Sequence, residues 1–429
     1  MDRVRRRHVF YVCGYDPQGA TGYYRLFARE LERFARLWSV RTKLSELSID
    51  SDDLAHWNIG VAGPNWNVDV RYEFLRLEEF VRANMRVPIV LQIPSILWWI
   101  LDDLLTGTSF HIARASWRFA MHILGTQLMF VVWLAVSVWA GWLAGSELAP
   151  RFDLPVWAAI LLGAAAAIAV FFALRPLARR WFLTQIPAAW PLFRPYGRGE
   201  PTGFDRSIEA FAKRLVEAAR AGEADELLVV GHSGGGALAP SVVARALELD
   251  PDLGRHGPRL ALLTAGSVMP GIAFHPRSKY LREVVRRLAI EPSLVWVDCQ
   301  VWADVCSFAN FDPVSGLGID TGPARCNPAV LPVHFRKQLR PETYAQVRFK
   351  FFRMHYQYIM ANDLRASYDY FLYCCGPAPI EDWATDAIET FACFGEDASF
   401  APLAAKSKPE DFLRLKSGDE IDIVSVREP

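Results

Sequence analysis

The chain of 429 residues sets 47 lysines and arginines against 47 aspartates and glutamates, so it has no net field with which to gather nucleic acid or an acidic substrate. With 52% hydrophobic and 22% charged residues, it reads as a water-soluble part joined to a strongly apolar one. Its seven cysteines, an odd number without Cys-x2-Cys spacing, argue against a disulfide framework or a zinc site and for buried, reduced thiols.

In chain order, Arg3, Arg5, Arg6 and Arg7 resemble the basic start of a signal peptide. The apolar run behind them, residues 9–13, is too short for the hydrophobic part, which predicts an uncleaved, cytosolic segment. Residues 8–13 read as a strand and 22–37 as a helix, with Tyr23, Leu26, Phe27, Leu31 and Phe34 at helical spacing. Residues 66–74 alternate as a half-buried strand, and 75–84 are amphipathic and helical. Residues 87–101 are uncharged but interrupted by Pro88 and Pro94, and too short to span. They predict an interfacial segment or one lining an acyl pocket, with a buried core segment as the alternative.

Two longer uncharged runs follow, residues 119–144 and 154–174. At 1.5 Å per residue they reach roughly 39 and 31 Å against a hydrocarbon core of about 30 Å, so both can span and the first must tilt. The short link 145–153 makes them an antiparallel hairpin. Trp133, Trp139, Trp142 and Trp157 towards its tip, with Trp117 and Trp181 at its base, fall where interfacial aromatic belts sit. Gly163 and Ala167 offer a small-residue face for helix packing. Arg114 and Arg118 precede the first run and Arg175, Arg179 and Arg180 follow the second, whereas the link carries only Arg151 beside Glu147 and Asp153. That asymmetry predicts both large flanks on the cytosolic face. His122 and Gln127 are the polar exceptions, too few for an ion path, so the hairpin reads as an anchor in a lipid bilayer.

Beyond the hairpin, residues 205–220 read as a helix and 227–230 as a strand, with further strand candidates at 259–265, 293–297 and 347–352. Strands alternating with helices predict a mostly parallel α/β sheet whose active residues lie at the carboxyl ends of strands. The expected organisation is a first part of the α/β core (1–86), a membrane insertion (87–200), a second part of the core (201–395) and a charged tail (396–429).

Residues 227–236, LLVVGHSGGG, carry the chemistry. A run of β-formers ends at Gly-X-Ser-X-Gly and opens into a helix-forming stretch, the geometry that exposes a serine hydroxyl to a base and to oxyanion-stabilising amides. This GHSGGGALAP stretch, with strands before and after it, resembles the α/β-hydrolase superfamily, in particular its lipases; the likeness covers roughly residues 8–86 and 204–375 and leaves out the hairpin. The resemblance implies an α/β-hydrolase-like sheet in which Ser233 is followed by an acid and then a histidine. Asp312, in NFDPVSG, is the favoured acid and Asp298 the alternative; His355, in HYQYIMAND, is the favoured base and His334 the alternative. The Gly234 amide is one oxyanion donor, and the loop CGYDPQG suggests Tyr15 for the other. His232 reads as structural.

No cofactor or metal is called for, and no Gly-Lys-Ser/Thr makes the glycines a phosphate cradle. The expected function is hydrolysis of a carboxylic ester of a lipidic or apolar substrate at the membrane. A thioesterase or acyltransferase using the same triad, or a non-catalytic membrane scaffold on this fold, are the alternatives.

Overall fold

The chain's structure, a computed structural model, describes residues 3–148, 150–180, 183 and 185–402. The strands β1 (Arg6–Val12), β2 (Arg41–Leu44), β3 (Ser48–Ile49), β4 (Leu54–Ala62), β5 (Asn67–Leu75), β6 (Glu226–His232), β7 (Arg259–Ala265), β8 (Leu294–Val301) and β9 (Ala329–Val333) form one sheet. Their spatial order is β2-β4-β5-β1-β6-β7-β8-β9, with β3 beside β4. Every neighbouring pair from β5 to β9 is parallel, and only the edge built by β2, β3 and β4 is antiparallel. Central strands are covered on both faces, so Val9 and Phe10, Leu228 and Val229, and Leu262 and Leu263 are all buried in adjacent pairs. The fold is therefore α/β with a mostly parallel sheet, as the alternation of elements predicts.

Helices α1 (Gly19–Trp38) and α2 (Glu78–Arg86) follow β1 and β5. Then come α3 (Ile89–Leu105) and α4 (Thr108–Ala115), the two long helices α5 (Trp117–Leu143) and α6 (Val156–Arg180), and α7 (Gln185–Arg198) and α8 (Phe204–Ala221), which return the chain to β6; α9 (Gly235–Leu249) follows that strand. Both α5 and α6 are long and apolar enough to cross a membrane, and only 6% of the apolar window of α6 is buried against protein. They meet along small residues: a Cβ on Gly141 would stand 2.5 Å from the Gly163 carbonyl oxygen and 2.8 Å from the Ala167 methyl. Trp139, Trp142, Trp157 and Trp117 face outward as belt residues would, but Trp133 does not. It is buried and stacks on Phe171 at 4.2 Å, joining α5 to α6. Trp181, the side chain of Arg179 and the tail from residue 403 onward lie outside the described residues.

Two local expectations are corrected. Pro88 and Pro94 do not interrupt the 87–101 stretch: Pro88 stands at the N-terminal boundary of α3 and Pro94 inside its second turn, where it forgoes one backbone bond. One side of α3 buries Ile89 and Ile96 in a cluster with Phe130, Trp133 and Phe171, while Leu91, Trp98, Leu104 and Leu105 are exposed. Residues 347–352 are not a strand; they end one helix (Pro341–Val347) and begin another (Phe351–His355). Their aromatic residues cover a boundary rather than fill a sheet, since Phe349 and Phe351 are exposed. Of the basic N-terminal residues, Arg5 and Arg6 are exposed, whereas Arg7 is buried in a 2.6 Å ion pair with Glu226 and donates to the carbonyls of Gly376 and Ala378.

Candidate active site

Between β6 and α9 the chain must reverse within two residues, and Ser233 takes the strain with a left-handed φ of 61°. The close approach of helix to sheet there allows only glycine: a Cβ on Gly235 would stand 2.0 Å from the Val12 carbonyl oxygen. On the other side, Gly14 in the loop after β1 abuts the turn. A Cβ at Gly14 would stand 3.2 Å from Ser233 Oγ and 3.1 Å from the Gly234 amide nitrogen. The Tyr15 amide nitrogen lies 3.4 Å from where a Cβ on Gly234 would be. Neither amide donates to a backbone carbonyl among the described residues. Two free N–H groups thus border the same small space beside the serine hydroxyl, the requirement for holding an oxyanion.

His355 closes the short helix Phe351–His355, which brings it to the same cavity as Ser233. Its Nδ1 lies 2.7 Å from Oδ2 of Asp304, a buried carboxylate three residues beyond β8. Its Nε2 is buried and without a hydrogen-bond partner. Asp304 is held in turn by the Ser307 hydroxyl, which donates at 2.5 Å, and by the Cys306 amide at 2.9 Å. Burial alone would raise this carboxyl, but the facing His355 ring and these donors keep it below the ordinary carboxylate value. His232, buried beneath His355 with ring centres 4.7 Å apart, is pushed down to about 3, first by burial and then by the His355 charge. It therefore stays neutral, and its Nε2 meets the His355 carbonyl at 3.1 Å, bracing the backbone there.

The acid expected from the sequence is displaced. Asp312 caps the turn that follows it, accepting from the amides of Val314 and Ser315, and pairs with Arg325 at 2.5 Å. Asp298 lies inside β8 rather than at its end and accepts from Thr264 and Gln300; burial pushes its carboxyl up to about 6. His334, the alternative base, is exposed at the start of a short helix. Ser233, Gly234, Tyr15 and His355 come together, and Asp304 replaces both Asp312 and Asp298 at the imidazole. Cys306 has no mark in the sequence that would place it here. Its Sγ, the Asp304 carboxylate and a His355 nitrogen lie within 4.8 Å of one another, a mixed donor set of the kind a borderline cation such as zinc takes; burial holds the thiol itself well up. The direct His355–Asp304 bond is the pairing of a carboxylate that orients an imidazole.

The cavity has a volume of about 460 Å³ and is lined mainly by apolar side chains. Phe119 and Ile123 come from α5, Trp190 and Phe193 from α7, and Phe352 from the segment before His355. No residue of the 87–101 stretch lines it. Trp99 stands one layer behind, stacked on Trp190 at 5.6 Å, while Asp102 and Asp103 tie the end of α3 to Arg198, His275 and Arg194. Comparison with protein-family models, with curated protein sequences and with solved structures finds no match to this chain.

Proposed function

We propose that this protein is a serine hydrolase of the α/β-hydrolase type, anchored in a membrane by the α5–α6 hairpin, that cleaves carboxylic esters of lipidic or apolar substrates. The observation that carries the reading is His355, with Nδ1 on the buried Asp304 and an unpartnered Nε2 in the cavity that also holds Ser233. In this reading His355 Nε2 takes the Ser233 proton as Oγ attacks the ester carbonyl. The amides of Gly234 and Tyr15 stabilise the oxyanion. His355 then returns the proton to the leaving alkoxide, giving an acyl-enzyme that water hydrolyses by the same path. Asp304 fixes the tautomer and balances the imidazolium. An apolar cavity at the foot of the hairpin favours an ester with a hydrocarbon acyl part.

The test is covalent labelling of the detergent-solubilised protein with a fluorophosphonate. Wild type should label and Ser233→Ala should not. Equal labelling of both, or of neither, would remove the mechanism and favour a scaffold that keeps the fold without the chemistry.

A further inference from the structure

Resting on the hydrolase reading, we propose that α5 is a wall of the acyl-binding site as well as an anchor. The acyl chain of a bilayer-resident ester enters sideways at the foot of the hairpin, and Ile123 limits the chain length accepted.

The first two turns of α5 are two-faced. Phe119, His122 and Ile123 line the cavity with Ser233 and His355, whereas Met121, on the opposite side of the same turns, is 66% exposed and Trp117 is 55% exposed. The polar atom of this wall has a partner of its own, His122 Nε2 lying 3.7 Å from Cys306 Sγ. Apolar surface begins directly at the serine turn: a Cβ on Gly234 would stand 2.9 Å from the Phe193 ring. An ester carbonyl at the two amides therefore has hydrocarbon-compatible walls immediately beyond it, on α5 and on α7.

The rim beside α5 has the composition of a membrane interface. Phe351 and Phe352 lie edge-on to His122 at 6.2 and 6.3 Å, and Phe349, nearby in the chain, is 74% exposed. Arg348 covers Phe349 at 4.6 Å, and Arg118 reaches Trp302 at 5.2 Å and Trp117 at 5.6 Å. Exposed aromatic rings with arginines beside them suit the headgroup level, and here they are continuous with a helix long enough to span. A lipid beside α5 thus meets the cavity rim at the depth where its ester lies.

The experiment uses the full chain in lipid nanodiscs, with p-nitrophenyl butyrate and p-nitrophenyl dodecanoate as probes. Each buried methylene is expected to raise kcat/KM by roughly fourfold until the cavity is filled. Ile123→Trp should cut the dodecanoate-to-butyrate ratio of kcat/KM at least tenfold. Met121→Trp, on the outer face of the same turn, should leave that ratio within about twofold, and fluorophosphonate labelling of Ser233 reports that each variant is folded. Dodecanoate hydrolysis should follow the mole fraction of the ester in the bilayer rather than its bulk concentration. A ratio unmoved by Ile123→Trp in a labelled protein, or a rate set by bulk concentration alone, overturns the inference while the hydrolase reading stands. Loss of labelling in wild type removes the hydrolase reading itself.

Discussion

At the scale of single residues, Asp304 is the assignment with the sharpest consequence. A carboxylate behind an imidazole acts by holding one tautomer and by stabilising the imidazolium, so Asp304→Asn should lower kcat by about 10³- to 10⁴-fold with little change in KM. Asp312→Asn, which keeps an oxygen to accept from the turn amides and loses only a part-exposed ion pair with Arg325, should keep kcat within about threefold. Steady-state kinetics on p-nitrophenyl butyrate separates the two, and a loss at Asp312 with none at Asp304 would reverse the assignment. The same pair explains what was legible in the sequence. Ser233 is announced by its neighbours, because the turn that exposes it requires particular residues within a few positions. The acid has no such local mark. Asp304 accepts from the amide of Cys306 and the hydroxyl of Ser307, and Asp312 accepts from the amides of Val314 and Ser315, so both read as aspartates that organise the turn after them. What separates them is a contact with His355 across 51 positions, and that is a property of the folded chain.

At the scale of elements, the hairpin depends on how closely two apolar helices approach, because in the proposed membrane setting no hydrophobic gradient would draw them together. Gly141 and Gly163 provide the approach, each close to the other's carbonyl oxygen. Gly141→Leu should therefore destabilise the protein by about 1–3 kcal/mol through overpacking. Gly125→Leu, on the same helix but with nothing within 4 Å of a new Cβ, should be close to neutral. Thermal unfolding in detergent measures both, and equal effects would show that the close approach is not what holds the hairpin. Both spans were legible because twenty uncharged residues leave few other solutions, and α1 because its apolar positions repeat with the helical period. Two elements fared differently. β4 alternates in Leu54–Ala62, but its place on the antiparallel edge depends on pairing with β2 and β5, which the alternation alone does not show. Residues 347–352 resemble a strand because aromatic residues fit strands, but among the described residues no neighbouring strand accepts them, and their hydrophobicity serves an outer rim and a cavity.

At the scale of the whole molecule, the sheet, the hairpin and the cavity share one boundary, so under the proposed function the side of the membrane on which the sheet lies decides which leaflet supplies the ester. Arg114 and Arg118 flank one span and Arg175 and Arg180 the other, on the side of the sheet, against Arg151 with Glu147 and Asp153 in the link. Basic residues near span ends resist translocation, and on that ground we propose that the sheet lies in the cytosol. The orientation can be read by placing a cysteine in the link. With Ser146→Cys, a membrane-impermeant maleimide applied to intact cells should label position 146 and leave the exposed Cys326 of the sheet domain unlabelled until the membrane is permeabilised. The reverse pattern would put the sheet outside and give the ester an outer-leaflet source. It would leave the Ser233–His355–Asp304 arrangement untouched, because that depends on which face of the sheet the hairpin meets and not on which compartment surrounds it.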